Sequence, residues 1–434
     1  MSNIGVLPEK WKFSKLKFAL NQIKDGTHGT FARTMEGRPF LSAKNVYSNE
    51  IVISENESMI SEEDYKEITK NGFPKRGDLL LTIVGTIGRV NLYELDEPLA
   101  FQRSVAFLRL SKNYNPRYYF YYLQSDHYLE ELMTYAKTSA QSGVYMGDVS
   151  NTHIVIPPLE LQGIIADYLD DKVSKINDLI KDKEQLIQLL NEKRQSMITE
   201  AVTKGLNPNV KMKDSGVEWI GEIPCNYKVI KLKHLVETKI TDGPHETPVL
   251  HESGVPFISA EAIKSGSVDF NYMRGYISEE DHKKFSRKCL PRYGDIFMVK
   301  SGATTGKIGI VDNHEEFSIW SPLALIRANK GKVLNNFLYY YMQSDIFQKQ
   351  VQLGWNYGTQ QNIGMGVIEN LFIICPPMDI QKEILNEIDI EFKNCDRLNE
   401  ELNMQIQKLK EYRQSLIYEA VTGKIDVRDF EVKA

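Results

Sequence analysis

The sequence predicts an α+β fold: two tandem, pseudo-symmetric α/β globular domains separated by two long helices, which pack on each other as an antiparallel intramolecular coiled coil. Three observations lead there. The chain repeats itself at about half its length, the first part of each repeat is rich in glycine and β-branched residues, and the last part carries a heptad seam. The boundaries read as 1–158 for the first globule, 159–205 for the first helix, 206–377 for a linker and second globule, and 378–434 for the second helix and tail.

The repeat keeps register. "PFLSAKNV" begins at Pro39 and "PFISAEAI" at Pro256, 217 residues on. "ISEED" at Ile60 and Ile277, Pro-x-x-Gly-Asp at Pro74 and Pro291, and "DGTHGT" from Asp25 against "DGPHET" from Asp242 share that spacing. After Gly85 and Gly302 the spacing grows to 218 and then 219, as two single-residue insertions produce. At 219 follow "QSD" (Gln124, Gln343), "PP" (Pro157, Pro376), "RQS" (Arg194, Arg413) and "EAVT" (Glu200, Glu419). Chance matches do not hold one register this far. A unit of roughly 200 residues is duplicated, too long for a solenoid repeat.

Within each globule, "DLLLTIVG" (78–85) and "DIFMVKSG" (295–302) read as strands bounded by turn glycines. "NPRYYFYYLQSD" and "LNNFLYYYMQSD" read as a helix entered through Asn or Asn-Pro. Its stripe of Tyr118, Tyr119, Tyr121 and Tyr122 beside Leu123 suits core packing better than a base-stacking platform. Strict strand–helix alternation is missing, so a doubly wound sheet is not expected.

After each diproline the texture changes. Leu169, Val173, Ile176, Ile180, Ile187, Leu190 and Met197 recur in steps of four and three, with Lys183 and Arg194 as interruptions. Ile388, Phe392, Cys395, Leu402, Ile406, Leu409 and Leu416 repeat the pattern, broken by Asn399 and Arg413. These are heptad seams. About forty residues at 1.5 Å each give a rod of roughly 60 Å. Two such helices in one chain most simply pair with each other, and the unmatched polar breaks fit layers that differ between them.

Composition is that of a globular protein, 42% hydrophobic and 26% charged. No apolar run is long enough to span a membrane, and "MSNIGVLPEKWKF" lacks a secretory layout. Cys225, Cys289, Cys375 and Cys395 form no CxxC, which argues against a disulfide framework or zinc site and suits a reducing cytoplasm. The formal charge of −5 warns that a nucleic-acid partner would need cations supplied locally or by other subunits.

Fragments that imitate catalytic motifs fail on inspection. "SGATTGKIG" (301–309) has three residues where a phosphate loop needs four, and Ile308 stands where Ser or Thr would hold magnesium. A glycine turn at a loop tip is the better reading. "NPRY" at Asn115 resembles an amino-methyltransferase motif but has Arg117 for the second proline, so a helix cap explains it. The eight histidines show no metal spacing, and His28 and His245 lack a nearby Ser-Asp pair. They read as turn residues that bond their own loops.

Two globules ending in "IVIPPLELQ" and "IICPPMDIQ", each followed by a long helix closing on "RQSMITEAVTKG" or "RQSLIYEAVTGK", resemble the specificity subunit of Type I restriction-modification systems. The linker "DSGVEWIGEIP" and its "LPEKW" echo near Met1 belong to the same resemblance, which covers essentially the whole chain. The resemblance implies that each globule is a target recognition domain reading one half of a gapped, asymmetric sequence in double-stranded DNA. The helices would be a spacer that docks two modification subunits, with two restriction subunits joining the complex. The chain itself would be non-catalytic and without metal or cofactor. S-adenosylmethionine, ATP and magnesium would belong to the partners, all in the cytoplasm.

Loop residues able to reach phosphates and base edges are the candidates for contact. Three clusters recur. The first is Thr27, His28, Thr30 and Arg33, answered by His245 and Thr247. The second is the glycine loop, with Thr86 and Arg89 against Ser301, Thr304, Thr305 and Lys307. The third precedes the diproline, with Ser139, Gln141 and Ser142 against Thr359, Gln360, Gln361 and Asn362. Lys44, opposite Glu261, is a divergent pair that could tune specificity or mark an exposed helix start. The alternatives are a non-catalytic coiled-coil scaffold, a stand-alone DNA-binding regulator, and the reader portion of a fused restriction-methyltransferase.

Overall fold

Each phrase that the chain spells twice is a structural device. In "ISEED", Ser61 and Ser278 accept the amides of Asp64 and Asp281 (3.1 and 3.0 Å) and cap short helices at Glu62–Thr69 and Glu279–Ser286. In "QSD", Ser125 and Ser344 do the same for Asp126–Thr134 and Asp345–Leu353. In Pro-x-x-Gly-Asp, Asp78 and Asp295 are buried and each receives a two-pronged arginine, Arg109 or Arg327. Repetition therefore marks scaffold.

The computed structural model describes residues 6–48, 50–137, 142–357 and 361–430. Compactness divides the chain into a first unit of 1–184 with 403–434 and a second unit of 185–402. Each holds one globule, the start of the long helix that follows it, and the end of the other long helix.

The first globule is built on an antiparallel sheet ordered Leu20–Asp25, Val105–Leu110, Leu79–Thr82, Val90–Leu92. The run Leu79, Leu80, Leu81, Thr82 is buried throughout, which is why it lacks alternation. A smaller sheet sets Met59–Ile60 antiparallel and Ala100–Phe101 parallel to Arg38–Leu41. The second globule repeats both. Its main sheet runs Thr241–Asp242, Leu323–Ile326, Ile296–Val299, Ile308–Ile310, and adds Ser267–Val268 and Ile263–Lys264 at one edge. Val255–Ile258 lies between Gly275–Ile277 and Ser318–Ile319 in the smaller one.

The aromatic stripe is core. Tyr118, Tyr119, Tyr121 and Tyr122 on Pro116–Tyr122 are all buried, and burial raises the pKa of each phenol. Asn115 caps this helix by accepting the Arg117 amide, as expected. In the second copy the helix starts at Asn335 itself, so the expected Asn cap is not made. Leu334 takes the cap position and Asn335 instead donates to the Gly294 carbonyl.

The glutamine after each diproline ties this helix to the long one. Buried Gln162 accepts the Asn115 amide (2.8 Å) and donates to the Pro157 carbonyl (2.9 Å). Gln381 repeats both bonds with Leu334 and Pro376 (2.8 Å each). Gln381→Ala orphans a part-buried amide and a buried carbonyl, and is expected to cost about 2–4 kcal/mol in urea unfolding.

The long helices are Leu159–Lys204 and Met378–Val421. Every seam residue is buried or half-buried, whereas Leu179, Leu186 and Leu189, off the seam, are exposed. Within the first unit Asn177 meets Arg413 and Lys183 meets Gln405 (2.6 Å), so the segments run antiparallel. Within the second, Arg194 donates to Asp396 (2.9 Å) and stacks on Phe392 (3.7 Å). The polar breaks thus find partners in layers that differ, as the seams imply. Among the described residues no helix is long and apolar enough to cross a membrane.

Candidate nucleic-acid interface

In the first unit the three clusters converge on the turn at 102–104. The Gly26 amide donates to the Val105 carbonyl (3.0 Å), Thr27 to Phe101 (2.9 Å), and Arg103 back to Thr27 (3.1 Å). Ile83, leading into the glycine loop, donates to Ser104 (2.9 Å). That loop is tied in turn to the third cluster, Gly85 to the Ser142 carbonyl (3.1 Å) and Val144 to Ile83 (2.8 Å).

The second unit builds the same junction around 320–322. Ser321 donates to Pro244 (3.2 Å), Lys300 to Pro322 (2.8 Å), Gly302 to Gln361 (3.0 Å) and Ile363 to Lys300 (2.8 Å). The third cluster is closed by Lys137 opposite Gly143 in one unit and by Asn356 opposite Asn362 in the other. Ser139, Gln141, Thr359 and Gln360 lie outside the described residues.

The Asp-Gly pair makes the close approach possible. A Cβ on Gly26 would stand 2.3 Å from the carbonyl oxygens of Phe101 and Gln102, and one on Gly243 2.0 Å from that of Ile319. The aspartates hold the loop histidines: His28 Nε2 lies 2.7 Å from Asp25 and His245 Nε2 3.2 Å from Asp242, with both imidazoles exposed. These histidines bond their own turns, as read from the sequence. Asp242 is further bound by Lys288 (2.6 Å) and Lys300 (3.1 Å). Burial pushes its carboxyl up, but the two lysines outweigh burial and leave it below the usual range.

Thr30, Thr86, Ser142, Thr247, Thr304 and Asn362 are exposed, and Thr27, Ser301, Lys307 and Gln361 are half-buried. Arg33 lies over the Phe40 ring and Arg89 over that of Tyr47, each at 4.5 Å, which orients the guanidinium without using its hydrogen-bond edges. Side chains of these types fit both groove edges and phosphates.

Two expectations change. Thr305 is buried and its hydroxyl donates to the Gly302 carbonyl (2.7 Å), so it shapes the glycine loop and offers no contact group. Lys44, on the short helical turn Ala43–Asn45, pairs with Glu57 (2.8 Å). Burial raises the Glu57 carboxyl, yet the bonds from Lys44, Asn45 and the Ser58 amide outweigh it and bring it below its usual value. Lys44 is thus the counter-ion of a buried acid. Glu261, its counterpart, pairs with Arg274 (2.6 Å), so the exchange swaps one local pair for another.

Sequence reasoning missed Arg103 and Trp320. Arg103 is exposed at the centre of the first junction. At the spacing of 218, Ser321 replaces it, while Trp320 replaces Gln102 and lies against Arg274 (4.5 Å). Divergence between shared strands was the available signal.

A family model for the Type I restriction modification DNA specificity domain matches residues 8–189 and again 224–408. The chain belongs to this family. It is a specificity subunit, in a family that is generally non-catalytic, and its two matches fall on the two halves of the duplication. A Methanocaldococcus jannaschii protein assigned as the type I restriction enzyme MjaX specificity subunit is 27% identical over 437 residues, spanning 98% of this chain and 96% of the relative. The EcoBI specificity subunit of Escherichia coli is 24% identical over 351 residues, 79% of this chain and 73% of the relative. The fold matches a chain of a type I R-M system with a TM-score of 0.66 at 16% identity, covering 97% of this chain and 100% of that one. It also matches the HsdS subunit of Thermoanaerobacter tengcongensis, with a TM-score of 0.50 at 16% identity over 96% and 98% of the two chains.

Proposed function

We propose that each globule reads one half of a bipartite, gapped, asymmetric target in double-stranded DNA, and that the paired helices set the gap and dock the other subunits. One observation carries this reading. The same three-loop junction is built twice on one scaffold, with different side chains at equivalent positions: Arg33, Gln102 and Arg103 in one copy, Leu250, Trp320 and Ser321 in the other. Identical scaffolds fix the geometry of approach, and unlike tips give unlike half-sites. Arginines there suit guanine edges or phosphates, and Gln361 and Asn362 suit adenine.

The partners are two modification subunits and two restriction subunits. They bring S-adenosylmethionine, ATP and magnesium, and perform methyl transfer, translocation and cleavage. Because the chain carries a net charge of −5, they also contribute part of the cationic surface that faces the phosphates. The complex works in the cytoplasm.

Selection from a randomised duplex library with the chain and its modification subunit, at fixed salt, tests the reading. Two dissimilar blocks separated by a constant gap are expected, and exchanging one globule should change one block only. A single ungapped block, or none, would return the weight to a scaffold or a lone regulator.

A further inference from the structure

One pair of pseudo-equivalent layers in the helix seams shares an arginine but surrounds it differently. At the spacing of 219, Arg194, Asp396 and Phe392 correspond to Arg413, Asn177 and Val173. In the second unit the Arg194 guanidinium has a carboxylate at 2.9 Å and an aromatic ring at 3.7 Å, both from its own chain. In the first unit the Arg413 guanidinium donates to the neutral Asn177 amide, and valine stands where the ring would be. Beside it opens a cleft of about 970 Å³, which Val173, Asn177 and Arg413 help to line.

Arg413 is half-buried, and burial alone acts on it, lowering its pKa from the ordinary value with no carboxylate to offset the cost. A desolvated cation with one neutral partner is held at a penalty that an anion would relieve. The second unit shows what relieves it, namely an acidic side chain with an apolar neighbour.

We propose that the cleft at Arg413 receives an acidic side chain, flanked by an apolar one, from the modification subunit. The incoming residues stand in for Asp396 and Phe392. This rests on the reading that the chain docks modification subunits, and it makes the two ends of a pseudo-symmetric chain unequal as docking positions. A DNA phosphate fits less well. Arg89 and Arg117 also line the cleft, but Arg117 is paired with Asp167 and Asp170 and Arg89 lies over Tyr47. Glu50, Glu94 and Asp178 would repel a polyanionic backbone, whereas a single carboxylate can be placed against Arg413.

Asn177→Asp tests this because it supplies the missing carboxylate from within the chain. The variant is expected to raise Tm by about 2–4 °C. It should weaken the association of the full chain with its modification subunit at least about ten-fold, measured by dissociation of the co-purified complex on dilution. Val173→Phe, which fills the cleft without changing charge, should weaken association as well. Wild-type affinity in both variants would overturn the proposal while leaving the docking reading intact. Failure of the wild-type chain to associate would overturn both. Unchanged association with weakened DNA binding by the complex would overturn it in favour of a phosphate site.

Discussion

Asp295→Ala is expected to cost about 3–5 kcal/mol, enough to unfold the second unit at moderate urea. Asp295 is 2% exposed, and its oxygens accept three hydrogen bonds of 2.7 Å, two from Arg327 and one from the Arg292 amide. Arg327 spends its remaining reach on the Leu290 carbonyl (3.0 Å), and the Asp295 hydrogen bond is the main cause of its raised pKa. Truncating the acid leaves a guanidinium and an amide without their acceptor in a part-buried setting, and removing one partner of such a pair is the expensive change. Asp78→Ala should do the same to the first unit, where Arg109 also lies 3.8 Å over the Phe73 ring. Each variant should lower the midpoint of one unfolding transition and spare the other. A loss below about 1 kcal/mol would mean that the pair is hydrated and that the repeated Gly-Asp has another purpose.

Gly26→Ala is expected to erase one half of the target while preserving the other. The added methyl cannot be placed 2.3 Å from two backbone oxygens, so the strand end must leave the turn at 102–104. Thr27, His28 and Arg103 then lose their shared geometry. Loss of good base contacts costs about 1–3 kcal/mol per contact, so preference for the first block should fall by at least about ten-fold. Gly243→Ala, with the Ile319 oxygen 2.0 Å from its new atom, should erase the second block instead. Library selection with the assembled complex reads both. Retention of both blocks by Gly26→Ala would remove this loop from the interface.

The cost of such changes traces back to residues that the sequence displays openly. The serines of "ISEED" and "QSD" each accept the amide three residues on and so cap the helix that begins at the next residue, and the seam positions fall on the buried stripe of each helix. These are short-range relations, so spacing alone exposes them. The aromatic helix was legible for the same reason. The second-copy cap was misread, because the spacing of 219 sets Leu334 against Asn115 and the Asn335 side chain goes instead to the distant Gly294 carbonyl.

At the candidate interface the local chemistry of each loop was legible and its employment was not. Thr305 and Lys44 look like free polar groups in the sequence, yet the first closes its own loop and the second neutralises Glu57. Arg103 shows no motif at all and stands at the centre of the junction. The unequal layer at Arg413 needed both the repeat spacing and the antiparallel pairing before Asn177 could be seen opposite it.

By itself, then, the sequence determined the duplication, the α+β class, the two heptad helices and the scaffold phrases. Local periodicity, capping and turn chemistry act within a few residues and repeat in register. Tertiary structure alone decided that Thr27, Ile83, Arg103 and Ser142 meet, and which polar groups remain free once they do. Those outcomes depend on backbone hydrogen bonds between distant strands and on the burial of single charges, and neither leaves a period in the sequence.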